Sequence, residues 1–423
     1  MCVTRGVAVR APRLYRALRC FCLGAFSLLS RDLEGGYELP FALEEHRIPG
    51  RPSLYEYRPL VAAFVEVRTH RLAEQEDARV ALEELRREPA AAVFARAHAR
   101  PPEGGQDPLF RSIVVPLLTR TAESCGGFDW DDAAFDRAYA ELERSLFSER
   151  RVYGALAPLV GLALATPVPL APGLIVRQAV ARELSAHWPE ASRLLPEDFG
   201  RDPDRMCVLE LERQLPAGEH ELPDPAAELA DAVTAIRLAT AGAVAAGPVL
   251  FERLDWRPLG VRPVLPVAAA TPYGEAARLD PVRGRLAAKL LPRLRLADED
   301  RELGDALDRW ELTLFQADPA RSEQLRHALG ALLGGAEGLW AAAVRACVLV
   351  GATGRERTSL LASLKGLAAG AQADEQAARA VRRALVETLT HGGRAELIAA
   401  LDEALLGARP PPLGAFEEQA TAV

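Results

Sequence analysis

The last third of the chain shows the clearest pattern of hydrophobic and polar positions. Apolar side chains recur there every three or four residues, for example at Leu397, Leu401 and Leu405, which is the spacing of an amphipathic helix. Each apolar stripe ends at a glycine or just before a proline, residues that terminate helices. The pattern predicts a bundle of five or six helices over 299–408 and a disordered tail over 409–423. The predicted helices are 302–316, 322–333, 339–350, 358–369, 374–391 and 394–406.

Residues 32–298 carry a mixed pattern. The helical spacing of Phe135, Tyr139 and Leu142 predicts a helix that continues to Arg150. No Gly-x-Gly-x-x-Gly motif supports a dinucleotide-binding fold. We therefore predict an α+β N-terminal region followed by an all-α C-terminal helical bundle. Its strands are predicted at 152–164, 174–176, 206–211 and 248–256, with a helix at 225–241.

Residues 1–31 are predicted to be a basic N-terminal extension. They contain six arginines and no acidic residue, and an apolar patch covers residues 20–30. This composition is typical of a signal segment, but no clear small-x-small cleavage site follows, and the downstream cysteines show no disulfide pattern. We therefore favour an amphipathic first helix or a start codon assigned too early.

Composition limits the classes of function. The 423 residues include 59 acidic and 51 basic groups, and the formal charge of −8 argues against a general polyanion-coating protein. All but two of the basic residues are arginines, the exceptions being Lys289 and Lys365. No stretch approaches the roughly 20 apolar residues of a membrane span, so no membrane partner is expected. The scattered cysteines and histidines predict a cytoplasmic protein without a structural metal or another cofactor.

The segment 379–394 has the residue types for chemistry on a phosphodiester. Glu387 lies one helical turn before His391, which stands at a predicted helix C-terminus, where the helix dipole favours positive charge. An imidazole among guanidinium groups suits proton transfer beside a phosphate. A helix-capping histidine with a solvated arginine face explains the same pattern. The candidate catalytic residues are His391 and Glu387, and the candidate RNA-binding residues are Arg379, Arg382, Arg383 and Arg394.

Four pieces of the predicted bundle carry a resemblance to a known family. They are Asp-Arg-Trp-Glu-Leu at 308–312, Ala-Leu-Gly-Ala-Leu-Leu at 328–333, Arg-Ala-Cys-Val-Leu-Val-Gly at 345–351 and Thr-His-Gly-Gly at 390–393. The last piece is similar to the Val-His-Gly ending of the HEPN (higher eukaryotes and prokaryotes nucleotide-binding) superfamily. Over residues 301–408 the chain resembles the prokaryotic, defence-associated branch of that superfamily.

The resemblance implies RNA as a substrate and a homodimer as the assembly. Members of the family pair an Arg-x4–6-His motif from two helical bundles and cleave RNA without metal, with the ribose 2′-hydroxyl as nucleophile. His391 matches the family histidine, but Val386 stands at an arginine position and Gly330 at a glutamate position. Cleavage would therefore need Arg383 or Arg394 as a displaced cation.

Three functions are consistent with these residues. The first is a non-catalytic, degenerate HEPN-like protein that binds RNA or another partner, with a role in defence. The second is a metal-independent endoribonuclease that uses His391. The third is a helical protein-interaction scaffold without a nucleic-acid role. Because residues 300–408 hold 12 basic and 15 acidic groups, any RNA contact is expected to be local, around Arg379, Arg382 and Arg383.

Overall fold

The fold combines an antiparallel sheet in the N-terminal half with helices at the C-terminal end, which confirms the coarse fold class expected from the sequence. Residues 1–9 of the predicted extension and 413–423 of the predicted tail lie outside the described residues. The computed structural model describes residues 10–46, 54–97, 107–147, 150–179, 184, 188, 191–196, 199, 206–216, 223–255, 257–264, 268–269, 272 and 274–412.

The described residues up to 147 are mainly helical and have a core of their own. The amphipathic first helix is present as α1 (Pro12–Glu34), which buries Leu14, Leu18 and Phe21 on one face. The predicted boundary after residue 31 falls inside this helix. The helices that follow are α2 (Val61–Glu66), α3 (Thr69–Ala73), α4 (Glu76–Arg87), α5 (Pro89–Ala97), a π-helical turn (Phe110–Val114), α6 (Val115–Cys125) and α7 (Asp132–Phe147).

A two-stranded antiparallel hairpin, β1 (Phe41–His46) and β2 (Leu54–Pro59), lies between α1 and α2 in the chain. Phe41 and Tyr57 are 58% and 67% exposed, and their rings pack edge to face with centroids 5.1 Å apart. The hydrophobic pattern does not predict these strands, because charged residues interrupt the alternation of apolar positions.

The middle of the chain forms a seven-stranded antiparallel sheet. In chain order the strands of this region are β3 (Arg150–Val160), β4 (Leu162–Ala163), β5 (Val168–Ala171), β6 (Leu174–Gln178), β7 (Met206–Pro216), β8 (Ala245–Ala246), β9 (Val249–Leu254), β10 (Arg257–Pro263) and β11 (Ala277–Arg278). The order in the sheet is β10-β9-β3-β7-β6-β5, and β8 also pairs with β3. The short strands β4 and β11 form a separate parallel pair. The predicted strands correspond to β3, β6, β7 and β9.

Each face of this sheet contributes residues to a core, because alternate residues of a strand point to opposite sides. On one face, Leu156 of β3 packs in a core with the short helix α8 (Ala191–Leu194). The helix α9 (Pro225–Thr240) packs on the other face, where Tyr153 and Ala155 of β3 are fully buried. The alternation within one strand thus divides the interior of the sheet region into two cores.

The chain from 281 to 405 is mainly helical. The six helices from residue 301 onward have bounds within four residues of those predicted for the C-terminal bundle, whereas the helical elements between 281 and 299 were not predicted. Asp300, Thr353 and Asp374 each cap a helix by accepting hydrogen bonds from backbone amides. The helices are α10 (Pro281–Leu290), a 3-10 turn (Leu291–Arg293), α11 (Arg295–Glu299), α12 (Arg301–Thr313), α13 (Ala320–Leu333), a second 3-10 turn (Gly335–Glu337), α14 (Gly338–Val350), α15 (Gly354–Ala368), α16 (Glu375–His391) and α17 (Arg394–Leu405).

Arg345 fastens α14 to its neighbours. Its side chain is 4% exposed and donates hydrogen bonds to the carbonyl oxygens of Leu333 and Gly334, both at 2.9 Å. The same guanidinium pairs with Asp402 of α17 at 2.7 Å and with Glu337 at 2.9 Å. One buried arginine therefore links the end of α13 to α14 and α17.

The sheet and the C-terminal helices share one hydrophobic core. Leu209 of β7, Ile236 of α9 and Leu385 of α16 are all fully buried within it. The predicted division at residue 298 therefore crosses a continuous core, whereas the helices up to residue 147 pack around a separate one.

Candidate nucleic-acid interface

Helix α16 carries five of the six predicted site residues, and Arg394 begins α17. Asp374 caps the N-terminus of α16 by accepting a hydrogen bond from the amide of Ala377 at 2.7 Å. Gly392 ends the helix with φ 94°, in the left-handed region that favours glycine. His391 is thereby held as the last helical residue, at the turn into α17.

His391 and Glu387 lie in different environments. The imidazole of His391 is exposed, and its Nδ1 lies 3.2 Å from the carbonyl oxygen of Gly393. Glu387, one turn earlier, is only 5% exposed. Groups that transfer protons to and from one substrate must both reach its reacting atoms. Of these two residues, only His391 is open to solvent.

Arg382 is built into the fold. Its Nε donates to the carbonyl oxygen of Leu238 at 2.7 Å, and its Nη2 donates to that of Ala239 at 3.3 Å. These carbonyls belong to the last turn of α9, where helical partners are lacking. Burial, followed by the neighbouring charges of Arg283 and Arg383, lowers the pKa of Arg382 from its ordinary value. Arg382 therefore holds α16 against α9.

Two further predicted RNA-binding arginines are paired within the molecule. Arg394, with a side chain 11% exposed, donates to Asp300 at 2.8 Å and also pairs with Glu302. Arg379 is exposed and pairs with Glu375 on the same helix at 3.1 Å. The predicted set thus does not converge around His391, since its arginines serve separate contacts.

The structure instead brings a second basic segment against α16. Arg283 of α10 lies close enough for its charge to act on Arg382, and Nη1 of Arg293 lies 3.5 Å from where a Cβ on Gly392 would be. Helix α10 therefore packs against α16, and the turn that follows α10 lies beside Gly392 at the end of α16.

The cations of this second segment are open to solvent. Arg283 pairs at 2.8 Å with Asp280, and Asp280 is the only acidic residue between 276 and 297. Within the described parts of the chain, the other four have no carboxylate at ion-pair distance. We call these five exposed residues the basic flank: Arg283, Arg285, Lys289, Arg293 and Arg295.

The basic flank is visible in the sequence as a cluster of basic residues, but a count of charges within the predicted bundle does not include it. Six Arg or Lys residues fall between 278 and 295 against one acid. They precede the predicted boundary at 298, so the count for 300–408 omits them. Only the packing of α10 beside α16 shows that they adjoin the predicted site.

A cavity of about 290 Å³ adjoins the start of α17, beside Arg394. Its charged lining also includes the carboxylates Glu299, Asp300 and Glu396. Because these carboxylates would repel a phosphate, the cavity does not suit a scissile phosphodiester. Anion binding is better served by the open surface of the basic flank.

Neither a metal cluster nor a membrane span occurs in the described part of the chain. No group of three or more His, Cys, Asp or Glu residues there could hold a metal ion, and no helix is long and apolar enough to cross a bilayer. Comparison of the chain with protein-family models, curated proteins and solved structures returns no match. The HEPN resemblance therefore stays a prediction from the sequence motifs.

Proposed function

We propose that the protein is a non-catalytic RNA-binding protein of HEPN-like build, with the basic flank as its phosphate-binding surface. The observation that carries this proposal is the packing of α10 against α16, which places exposed cations of the flank beside the predicted site. Exposed arginine and lysine side chains bind phosphates by displacing the counterions that surround the nucleic acid. The flank offers four cations that no carboxylate neutralises among the described residues.

The charge of the whole chain supports a contact confined to this surface. A formal charge of −8 repels RNA over most of the molecule. A local cluster of cations on an acidic protein still attracts a phosphate backbone at short range, within about 8 Å at physiological salt. The proposed binding is therefore moderate in affinity and strongly weakened by salt.

A metal-independent ribonuclease is the alternative, and the exposure of His391 favours it, since Arg293 lies beside the adjacent Gly392. Cleavage needs a proton acceptor, a proton donor and a cation on the developing phosphorane. His391 can supply one proton-transfer group. Glu387 is buried and Arg394 is held by Asp300 and Glu302, so neither of these two residues is open to a substrate for the remaining roles.

RNA binding is tested by fluorescence anisotropy with labelled RNA from 50 to 200 mM salt. We expect the double variant Arg285→Glu, Lys289→Glu to weaken binding about tenfold or more at the lowest salt. The control Arg144→Glu, Arg355→Glu changes the same charge at exposed residues elsewhere and should bind RNA nearly as the wild type does. Equal losses in both variants would show that net charge alone is responsible.

Catalysis is tested with the same RNA in the presence of EDTA. We expect no cleavage by the wild-type protein. Cleavage that disappears in His391→Ala would establish the ribonuclease instead. The implied homodimer stays a prediction, which light scattering during size-exclusion chromatography checks directly.

A further inference from the structure

The chemistry of the basic flank bears on which form of RNA it suits. The flank is part of a fixed element, because α10 buries Gly284, Leu286, Ala287 and Leu290 against its neighbours. The backbone positions of the cations on this helix are therefore fixed, with Arg285 and Lys289 one helical turn apart on the solvent side.

The flank and α16 offer few of the large aromatic side chains that bind unpaired bases. Residues 281–295 and 375–394 contain no Phe, Tyr or Trp. Proteins that bind single strands stack the bases on aromatic rings along a basic groove. Apart from the imidazole of His391, the two segments offer guanidinium and ammonium groups, which contact phosphates and sugars, and no Phe, Tyr or Trp ring on which bases could stack.

Rigidity on the protein side favours a rigid ligand. A single strand must lose conformational freedom when its phosphates align with fixed cations, and that loss weakens binding. In a duplex the phosphates are already held at regular positions, and duplex RNA is recognised mainly by shape and by contacts to phosphates and 2′-hydroxyls. Both the fixed spacing and the missing aromatic rings thus point to the same ligand.

We propose that the basic flank binds the phosphate backbone of double-stranded RNA without regard to base sequence. This inference rests on the proposed function, because it names the RNA form that the same surface takes. About four neutralised phosphates correspond to a slope of about −3.6 in a plot of log affinity against log salt, by the counterion relation for duplexes.

The experiment compares three RNAs of equal length on the full chain: two duplexes of unrelated sequence and one unstructured single strand. We expect the two duplexes to bind with the same affinity within about threefold, and the single strand to bind about tenfold more weakly. Arg293→Glu with Arg295→Glu should weaken duplex binding, and circular dichroism and melting temperature show whether the variant is folded. The milder Arg285→Ala serves as a second variant, which should lower the salt slope by about one.

The outcomes separate this inference from the proposed function. If none of the three RNAs binds, the RNA-binding function itself is wrong. If RNA binds but the single strand binds as well as the duplexes, or one duplex is strongly preferred, the proposed function survives and the duplex inference is overturned. Duplex binding that is unchanged in both folded flank variants would overturn the assignment to this surface.

Discussion

The arginines inside the C-terminal bundle and the cations of the basic flank have related chemistry and opposite surroundings. Arg345 and Arg382 donate to backbone carbonyls at the ends of helices, and Arg394 pairs with two carboxylates. Arg285 and Lys289 are exposed and have no such partner among the described residues. The comparison shows that an arginine is available to a ligand only when its guanidinium is not already engaged in hydrogen bonds or ion pairs within the protein.

The largest expected effect is the loss of a buried arginine. Arg345→Leu removes the hydrogen bonds to Leu333 and Gly334 and leaves Asp402 without its cation. We expect the free energy of unfolding to fall by about 3 kcal/mol, because buried carbonyls lose their donors. Denaturant unfolding measures this change. Arg355→Leu removes the same charge at an exposed residue and should cost less than about 0.5 kcal/mol; similar losses in both would contradict the comparison.

A smaller loss is expected at Arg382. Arg382→Ala leaves the carbonyls of Leu238 and Ala239 without their side-chain donor, which we expect to cost about 1–2 kcal/mol of unfolding free energy. The control on the same helix is Arg379→Ala, which removes only an exposed pair with Glu375, worth about 0.5 kcal/mol or less. If the two variants unfold at the same denaturant concentration, Arg382 does not hold α16 in place.

Replacement of a half-buried carboxylate that has no ion pair among the described residues should raise stability, whereas loss of a buried arginine lowers it. Burial, followed by the charges of Asp298, Glu228 and Glu311, raises the pKa of Asp231 to about 6. The folded state then binds a proton that the unfolded state releases, so stability is highest below about pH 4 for this group and is lost as pH rises through 6.

Asp231→Asn removes this titration. At pH 7.5 we expect it to raise the unfolding free energy by about 1 kcal/mol, allowing for screening at a half-exposed group. At pH 5 the gain should be smaller. Melting curves of both proteins at the two pH values measure the difference. Asp129→Asn, an exposed carboxylate elsewhere, is the control, and a gain at Asp231 that does not depend on pH would contradict the assignment.

The smallest effect on stability is expected in the flank. Lys289→Ala removes an exposed side chain without an ion pair, so the unfolding free energy should change by less than about 0.5 kcal/mol. RNA affinity should nevertheless fall and its salt slope decrease by about one, because one phosphate contact is lost. A stability loss like that of Arg382→Ala would mean that Lys289 belongs to the fold and not to the interface.

Much of the local structure could be predicted from the sequence. Glycine and proline stops and apolar stripes locate the C-terminal helices, such as the one predicted at 374–391 and found at Glu375–His391. The hairpin of β1 and β2 could not be predicted, since charged residues interrupt its apolar alternation. The candidate site was predicted only in part, because spacing along α16 shows which arginines share a helix but not which carbonyl or carboxylate each one meets.

By itself, the sequence determined the helices from residue 301 onward, most strands of the sheet and the position of His391 at a helix end, because periodicity and helix-ending residues act over a few neighbouring positions. Only the tertiary structure decided that the sheet and bundle share a core, that Arg382 and Arg394 are occupied by partners 144 and 94 residues away, and that the basic flank adjoins α16. The physical reason is that the signals in the sequence act between near neighbours, whereas these contacts join residues far apart in the chain. Hydrogen bonds and ion pairs form between groups that packing brings within about 3 Å, and packing joins segments whose separation along the chain carries no periodic signal.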